Sequence, residues 1–272
     1  MTTGDSLAEA IGRLAPELPP FGAGEVWLAG AGPGSLGCLT LEVVAALAEA
    51  DAVVYDALVA PEVLRAARPG AAMHFVGKRR GQPSTPQAEI NALLVRLAGE
   101  GRRVLRLKGG DPNIFGRGGE EALALAEAGV VFRVLPGVTS AFGALASARI
   151  PATRRGVSKA LILATGHGVG TADDLDWGAL ARAGQPIVIY MGLAVIGEIA
   201  AALMAGGLAA GTPAAVIASA TTPEERVLVA DLGSLAGRVA AEAIRGPALI
   251  VVGEIVRLRE ELVALAAEHV RA

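Results

Sequence analysis

Arg106-Leu-Lys-Gly-Gly-Asp-Pro-Asn-Ile-Phe-Gly-Arg-Gly-Gly-Glu-Glu121 is the stretch on which the reading of this chain turns. The apolar residues Val104, Leu105 and Leu107 stop at Gly109, turn chemistry follows through Gly109, Gly110, Asp111 and Pro112, and Glu120 to Glu127 has helix composition. A strand end, a tight loop and a helix start in that order belong to an α/β fold. In such sheets ligands sit beyond the carboxyl ends of the strands, so this loop is the first candidate site. Gly109 and Gly110 would let a ligand approach the backbone, with Asp111 as an acceptor beside them. A bare Gly-Gly-Asp-Pro reads as an ordinary turn before a helix. Arg117 among Gly116, Gly118 and Gly119 shifts the balance, because a loop serving geometry alone has little need of a guanidinium.

Toward the N-terminus the unit recurs. Val26 to Gly30 reads as a buried strand, Gly30-Ala-Gly-Pro-Gly-Ser35 as a turn, and Leu39 to Ala50 as a helix. The glycine spacing is Gly-x-Gly-x-Gly, not the Gly-x-Gly-x-x-Gly of dinucleotide sites, and Pro33 has no N–H for a phosphate. That points to a nucleoside-type ligand without a pyrophosphate and away from a dinucleotide oxidoreductase. Ala52 to Tyr55 is a second strand ending in Asp56, which reads equally as a base, a helix N-cap or a strand terminator. A third strand, Met73 to Gly77, runs into Lys78-Arg79-Arg80; a basic triplet is usually a solvated face, but past a strand end it also suits an anionic substrate. Thr85 and Pro86 are expected as N-cap and first residue of a helix whose Ile90, Leu93, Leu94 and Leu97 face the core. After the central loop come a strand over 130–135, the turn Pro136-Gly-Val-Thr-Ser140 and a small-residue helix from Ala141 to Ala148. Thr139 and Ser140 suit capping of that helix, and an N-terminus so capped also presents hydroxyls and N–H groups.

Ile150-Pro-Ala-Thr-Arg-Arg-Gly156 has linker composition, and beyond it the pattern restarts. Strands are expected over 160–164, 186–190, 214–218, 226–229 and 248–252, with a helix from Val195 to Ala205 and a polar loop through Asp173, Asp174 and Asp176. Turn residues in Thr221-Thr-Pro-Glu-Glu-Arg226 predict an antiparallel portion in this second sheet. The expected organisation is a tail (1–24), an N-terminal α/β domain (25–150), a C-terminal α/β domain (151–257) and a helical tail (258–272), with a cofactor cleft between the two domains.

Composition narrows the function classes. Hydrophobic residues make up 53% of the chain, enough for a sizeable core, yet no apolar run reaches the roughly 18 residues of a membrane span, so a soluble protein is expected. A net charge of −3 and 3% aromatic residues disfavour nucleic acid as a partner. Cys38 stands alone and His74, His167 and His269 have no metal spacing, so neither an intrachain disulfide nor a metal site is expected. Acidic Asp5 and Glu9 with Pro16, Pro19 and Pro20 do not form a secretory signal.

Taken together, Gly30-Ala-Gly-Pro-Gly34, Val54-Tyr-Asp-Ala-Leu-Val59, Val76-Gly-Lys-Arg-Arg-Gly81, Pro86-Gln-Ala-Glu-Ile-Asn91, the 106–121 block, Pro136-Gly-Val-Thr-Ser140, Thr165-Gly-His167 and Tyr190-Met-Gly192 resemble the tetrapyrrole methylase family over about residues 25–257. The resemblance implies a cytoplasmic homodimer that carries methyl groups from S-adenosylmethionine to two pyrrole carbons of uroporphyrinogen III, giving precorrin-2 for cobalamin or siroheme. It implies a donor pocket of Pro33, Gly109, Gly110, Asp111, Ile114, Thr139, Ser140, Met191 and Ala220, with Asp56 as proton acceptor and Lys78 as proton donor. For Lys78 the residues leave pairing with a substrate carboxylate equally open. The substrate's eight carboxylates make Arg79, Arg80, Arg117, Arg154 and Arg155 candidate clamps. Ala218-Ser-Ala-Thr221 departs from the family's common Glu-Asn-Gly-Thr, and Asn113 from a frequent aromatic. With 24 residues before the first strand, no fused dehydrogenase and ferrochelatase module is expected.

Overall fold

The computed structural model describes residues 3–77, 85–171 and 174–271. The chain separates into two compact units, Met1–Thr139 and Ser140–Ala272.

The first unit runs α1 (Thr3–Leu14), β1 (Val26–Gly30), α2 (Leu41–Glu49), β2 (Ala52–Tyr55), α3 (Pro61–Leu64), β3 (Ala72–Phe75), α4 (Gln87–Gly99), β4 (Val104–Lys108), α5 (Gly118–Glu127) and β5 (Phe132–Leu135). Its five strands pair in parallel in the order β3-β2-β4-β1-β5. A parallel sheet needs cover on both faces, and the sequence supplies it. Trp27, Ala29, Leu105 and Leu107 pack with Val43, Leu47 and Val63 from α2 and α3; the alternate residues Val26, Leu28 and Val104 pack with Ile90, Leu94, Leu97 and Leu125 from α4 and α5. Thr40 caps α2, its hydroxyl accepting from the Val43 N–H at 3.3 Å. α4 begins one residue later than the sequence suggests. Pro86 keeps an extended ψ of 142° and occupies the N-cap place itself, so Thr85 lies outside the helix.

The second unit runs α6 (Ser140–Ser147), β6 (Ile162–Thr165), α7 (Trp177–Arg182), β7 (Ile187–Tyr190), α8 (Ile196–Ala205), β8 (Pro213–Ala218), β9 (Arg226–Asp231), α9 (Leu232–Ala241), β10 (Ala248–Val252) and α10 (Arg257–Arg271). Here the order is β6-β7-β10-β8-β9; β6 and β7 are parallel, and the other pairs are antiparallel, as the 221–226 turn chemistry anticipates. The polar stretch expected as a loop ends in α7. Asp176 caps it, its Oδ1 accepting from the Ala179 N–H at 2.8 Å, while buried Trp177 donates from Nε1 to Asp174 at 2.8 Å. Of the aspartates in the expected polar loop, Asp174 and Asp176 are therefore the tether and the cap of the helix that follows, while Asp173 lies outside the described residues. No helix among the described residues is long and apolar enough to cross a membrane.

At the amino ends of the parallel strands Asp51 collects the Arg103 N–H at 2.9 Å, the Arg103 guanidinium at 3.1 Å through two nitrogens, and Arg68 at 2.7 Å. Hydrogen bonding from Arg103 comes first among the causes that lower its pKa from 3.8 to about 2. A carboxylate depressed on folding contributes stability that is present above its ordinary value and is lost as pH falls through the folded one. Between pH 3.8 and about 2 the wild-type protein is therefore expected to lose more stability than Asp51→Asn. Denaturant unfolding of both proteins across that window checks this; parallel losses would contradict it.

Candidate active site

The carboxyl ends of β1, β4 and β5 meet through backbone alone. A Cβ placed on Gly30 would lie 2.5 Å from the Gly110 carbonyl oxygen and 2.6 Å from the Gly137 Cα, and one on Gly137 would strike the Gly110 oxygen and sit 2.7 Å from the Gly30 Cα. Only glycine fits at these positions. Beside them the Gly32 N–H donates to the Gly110 oxygen at 3.1 Å and the Gly110 N–H to the Gly32 oxygen at 2.7 Å, with Gly32 at φ 71° and Gly110 at φ 69°. Asp111 closes the construction. Its Oδ1 accepts from the Asn113 N–H at 2.8 Å and its Oδ2 from the Gly137 N–H at 3.0 Å, so the carboxylate expected as a ligand acceptor also straps the loop after β4 to the loop after β5.

This arrangement brings Pro33, Gly109, Gly110, Asp111, Ile114 and Thr139 to adjacent strand ends of the first sheet. Pro33, Gly109 and Ile114 are half-buried, and Thr139 is buried. A Cβ on Gly109 would lie 2.7 Å from Leu58 Cβ, which places the loop after β2 against the loop after β4. Asp56 stands on that neighbouring loop with a quarter of its side chain exposed, its Oδ1 accepting from the Leu58 N–H at 3.0 Å. Lys78, Arg79 and Arg80 lie outside the described residues. Arg117, at φ 59°, is exposed and pairs through Nε and Nη2 with Glu120 at 2.8 and 2.7 Å.

Sequence reasoning passed over the most buried charges in the unit. Arg106 and Lys108, on the β4 face beneath α4 and α5, meet the wholly buried Glu121 of α5: Arg106 Nε and Lys108 Nζ each lie 3.0 Å from Oε1, which also accepts from Gln87 at 3.2 Å. Burial, and then the neighbouring Arg106, push the Lys108 ammonium below its ordinary value, while Glu121 pulls it the other way. The available signal was the charge at alternate positions of a strand that must be buried on both faces.

In the second unit Ser140 opens α6, and the next N–H, from Ala141, donates to the Tyr190 hydroxyl at 3.0 Å. Met191 follows β7 with φ 53° and more than half its surface exposed. A second backbone contact supports it: a Cβ on Gly166 would lie 2.5 Å from the Gly192 Cα, so Thr165-Gly-His167 and Tyr190-Met-Gly192 meet at neighbouring strand ends. Ala220 lies in the loop after β8 between two residues with left-handed backbone, Ser219 (φ 47°) and Thr221 (φ 65°). The loop is held by the Ser219 N–H to the Pro247 oxygen at 2.9 Å and the Thr221 N–H to Glu225 at 2.7 Å. Arg154 lies 3.7 Å from Glu261, and Arg155 is exposed. Among the described residues no three side chains of His, Cys, Asp and Glu gather in a set that could hold a metal ion.

Residues 25–236 match the family model of the tetrapyrrole (corrin/porphyrin) methylases. The chain is 49% identical over 247 residues to a uroporphyrinogen-III C-methyltransferase of Sinorhizobium sp., an alignment covering 90% of this chain and 88% of that one. It is also 49% identical over 243 residues to the siroheme synthase of Azotobacter vinelandii, covering 89% of this chain but only 52% of that protein, so the chain spans about half the length of such relatives. Among solved structures it is similar to Thermus thermophilus uroporphyrin-III C-methyl transferase complexed with S-adenyl homocysteine, at 39% identity and a TM-score of 0.72, covering 86% of this chain and 99% of that one.

The glycine contact makes a sharp demand on the sequence. Gly137→Ala is expected to destabilise the protein by roughly 1–3 kcal/mol, because the added methyl meets backbone that cannot rotate away. Gly211→Ala, which has nothing within 4 Å of the added carbon and, like Gly137, no left-handed φ, isolates the clash. Thermal unfolding in which Gly137→Ala lost no more than Gly211→Ala would contradict the close approach.

Proposed function

The chain belongs to the tetrapyrrole (corrin/porphyrin) methylase family, and from that premise we propose that it methylates two pyrrole carbons of uroporphyrinogen III to give precorrin-2. The observation that carries this reading is the placement of Asp56 on the loop packed against Gly109, at the strand end next to the glycine-strapped loops after β1, β4 and β5. A similar solved protein complexed with S-adenyl homocysteine supports the choice of donor.

The residues fit S-adenosylmethionine. Half-buried Pro33 and Ile114 and exposed Met191 offer apolar contact for an adenosyl group, while Gly109, Gly110 and Ala220 present backbone without long side chains. Thr139 and Ser140 complete the proposed set. Two carboxylate-to-amide bonds at Asp111 fix the loop before any ligand arrives, which lowers the ordering cost of binding. When bound, the donor supplies an electrophilic methyl: the pyrrole carbon forms the new C–C bond, the S–CH3 bond breaks, and its electron pair remains on sulfur in S-adenosylhomocysteine.

What the chain's own residues must then do is align the partners and take up a proton, since the methylated ring carries a positive charge until it loses one. Asp56 is the proposed acceptor: it is part exposed, and one of its oxygens is already oriented by the Leu58 N–H. Lys78 is the proposed donor. Arg79, Arg80, Arg117, Arg154 and Arg155 are the proposed clamps for the substrate carboxylates, with Arg117 exchanging Glu120, and Arg154 exchanging Glu261, for substrate. Action as a cytoplasmic homodimer, on the route to siroheme or cobalamin, belongs to the same proposal.

Anaerobic incubation of the protein with uroporphyrinogen III and S-adenosylmethionine, followed by mass and absorbance, is expected to show two methyl groups added. Asp56→Asn is expected to lower kcat by about a hundredfold or more, the usual range for a lost acid or base. Paired charge removal at Arg117 and Arg154 is expected to raise the KM for uroporphyrinogen III while leaving that for the donor unchanged. Absence of any methylated product, or wild-type turnover by Asp56→Asn, would overturn the respective assignment.

A further inference from the structure

Three buried charges have no task in the reading above. Arg106 and Lys108 lie on the β4 face that carries Val104, and where Val104 joins the apolar layer beneath α4 and α5, the next two residues on that face turn it polar at the carboxyl end of the strand. Glu121 is wholly buried, and its Oε1 takes Arg106, Lys108 and Gln87 together. Among the described residues its Oε2 has no hydrogen-bond partner. Removing two cations and an anion from water costs several kcal/mol per ion, and apolar residues of similar volume commonly stabilise a core as well or better. Stability alone therefore does not account for the cluster.

The cluster also opens in one direction. Arg106 is pinned on two sides: Nε lies 3.0 Å from Glu121, and Nη1 donates to the Val54 and Leu107 carbonyls at 3.4 and 3.2 Å. Its remaining nitrogen, Nη2, faces Asp56 Oδ2 at 3.7 Å. With Asp56 Oδ1 held by the Leu58 N–H, both oxygens of that carboxylate have a fixed neighbour. A guanidinium tied at Nε and Nη1 is held in place, so the positive charge it presents to Asp56 is positioned by Glu121 on α5 together with the Val54 and Leu107 carbonyls.

We propose that Glu121 is a positioning residue for the methylation: acting through Arg106, it fixes the carboxylate of Asp56 that takes up the proton. The proposal rests on the assignment of Asp56 as proton acceptor. Lys108 shares the Glu121 oxygen and keeps that carboxylate from rotating toward Arg106 alone. Glu121 itself touches neither donor nor substrate in this scheme. Its loss should accordingly appear in turnover and not in binding.

The test is a double-mutant cycle on the full chain, with kcat and both KM values measured anaerobically and S-adenosylhomocysteine affinity measured by calorimetry. Glu121→Gln keeps an acceptor oxygen and removes the charge. It is expected to lower kcat at least about tenfold, with both KM values and the calorimetric affinity within about threefold of wild type. In an Asp56→Asn or Arg106→Lys background the same substitution should cost less than about twofold more, because the route through which it acts is already broken. Unchanged kcat in Glu121→Gln, or an equal loss in all backgrounds, would overturn the proposal. If Glu121→Gln does not fold, Arg106→Lys alone carries the test: it keeps a cation for Glu121 but lacks the fork that also faces Asp56. Wild-type kcat in Arg106→Lys would then overturn the proposal, and a tenfold loss with donor affinity intact would support it. Wild-type turnover by Asp56→Asn would instead remove the assignment of Asp56, a failure distinct from that of Glu121.

Discussion

Three backbones approach one another at Gly30, Gly110 and Gly137 more closely than any side chain permits, and the first unit's candidate site depends on that approach. The three residues close β1, β4 and β5, neighbours in the sheet but far apart in the chain. Without a Cβ among them, the loops that follow can exchange hydrogen bonds directly, as Gly32 and Gly110 do, and Asp111 can reach across to the Gly137 N–H. The second unit uses the same device on a smaller scale with Gly166 and Gly192. Glycine motifs that look like separate turns in the sequence are contacts between strand ends. Each removes side chains from the place where, by the logic of α/β sheets, ligand meets backbone.

Against this apolar and backbone construction the Arg106, Lys108 and Glu121 cluster stands out as the feature that costs most to bury. Adjacent glutamates at the start of α5 take opposite roles. Glu120 remains at the surface with Arg117, a pair in high dielectric worth little to stability, whereas Glu121 enters the core and holds two cations. A rigid charged support behind a carboxylate with a quarter of its side chain exposed is the arrangement expected where orientation of that carboxylate matters more than the last increment of stability.

Much of this was legible in the residues. Short apolar runs ended by glycine or aspartate marked the strands, the restart after Ile150 marked a second α/β sheet, and the 106–121 block with its companion motifs pointed to the family and to a candidate site. Other features required the third dimension. Which of Glu120 and Glu121 is buried depends on how α5 is turned against β4. The partner of the α6 N-terminus is Tyr190, which lies 49 residues from Ala141 and has no local signal. Asp174 and Asp176 lie in a loop as read, but the short helix that follows them has no mark of its own in the sequence, because its anchor is the buried indole of Trp177. Local chemistry is visible in sequence when the partner is a neighbour in the chain, and is lost when the partner comes from another strand.

We propose that the strand-end loops built on these glycine contacts hold the methyl donor. Hydrogen exchange of the protein with and without S-adenosylhomocysteine measures that most directly. Slowed exchange is expected in peptides covering residues 30–34, 109–114, 137–141, 190–192 and 219–221, with the edge strand β3 and the amino-end cluster around Asp51 unchanged. Binding that left the 109–114 and 137–141 peptides exchanging as in the free protein, or that protected the amino ends of the strands instead, would contradict it.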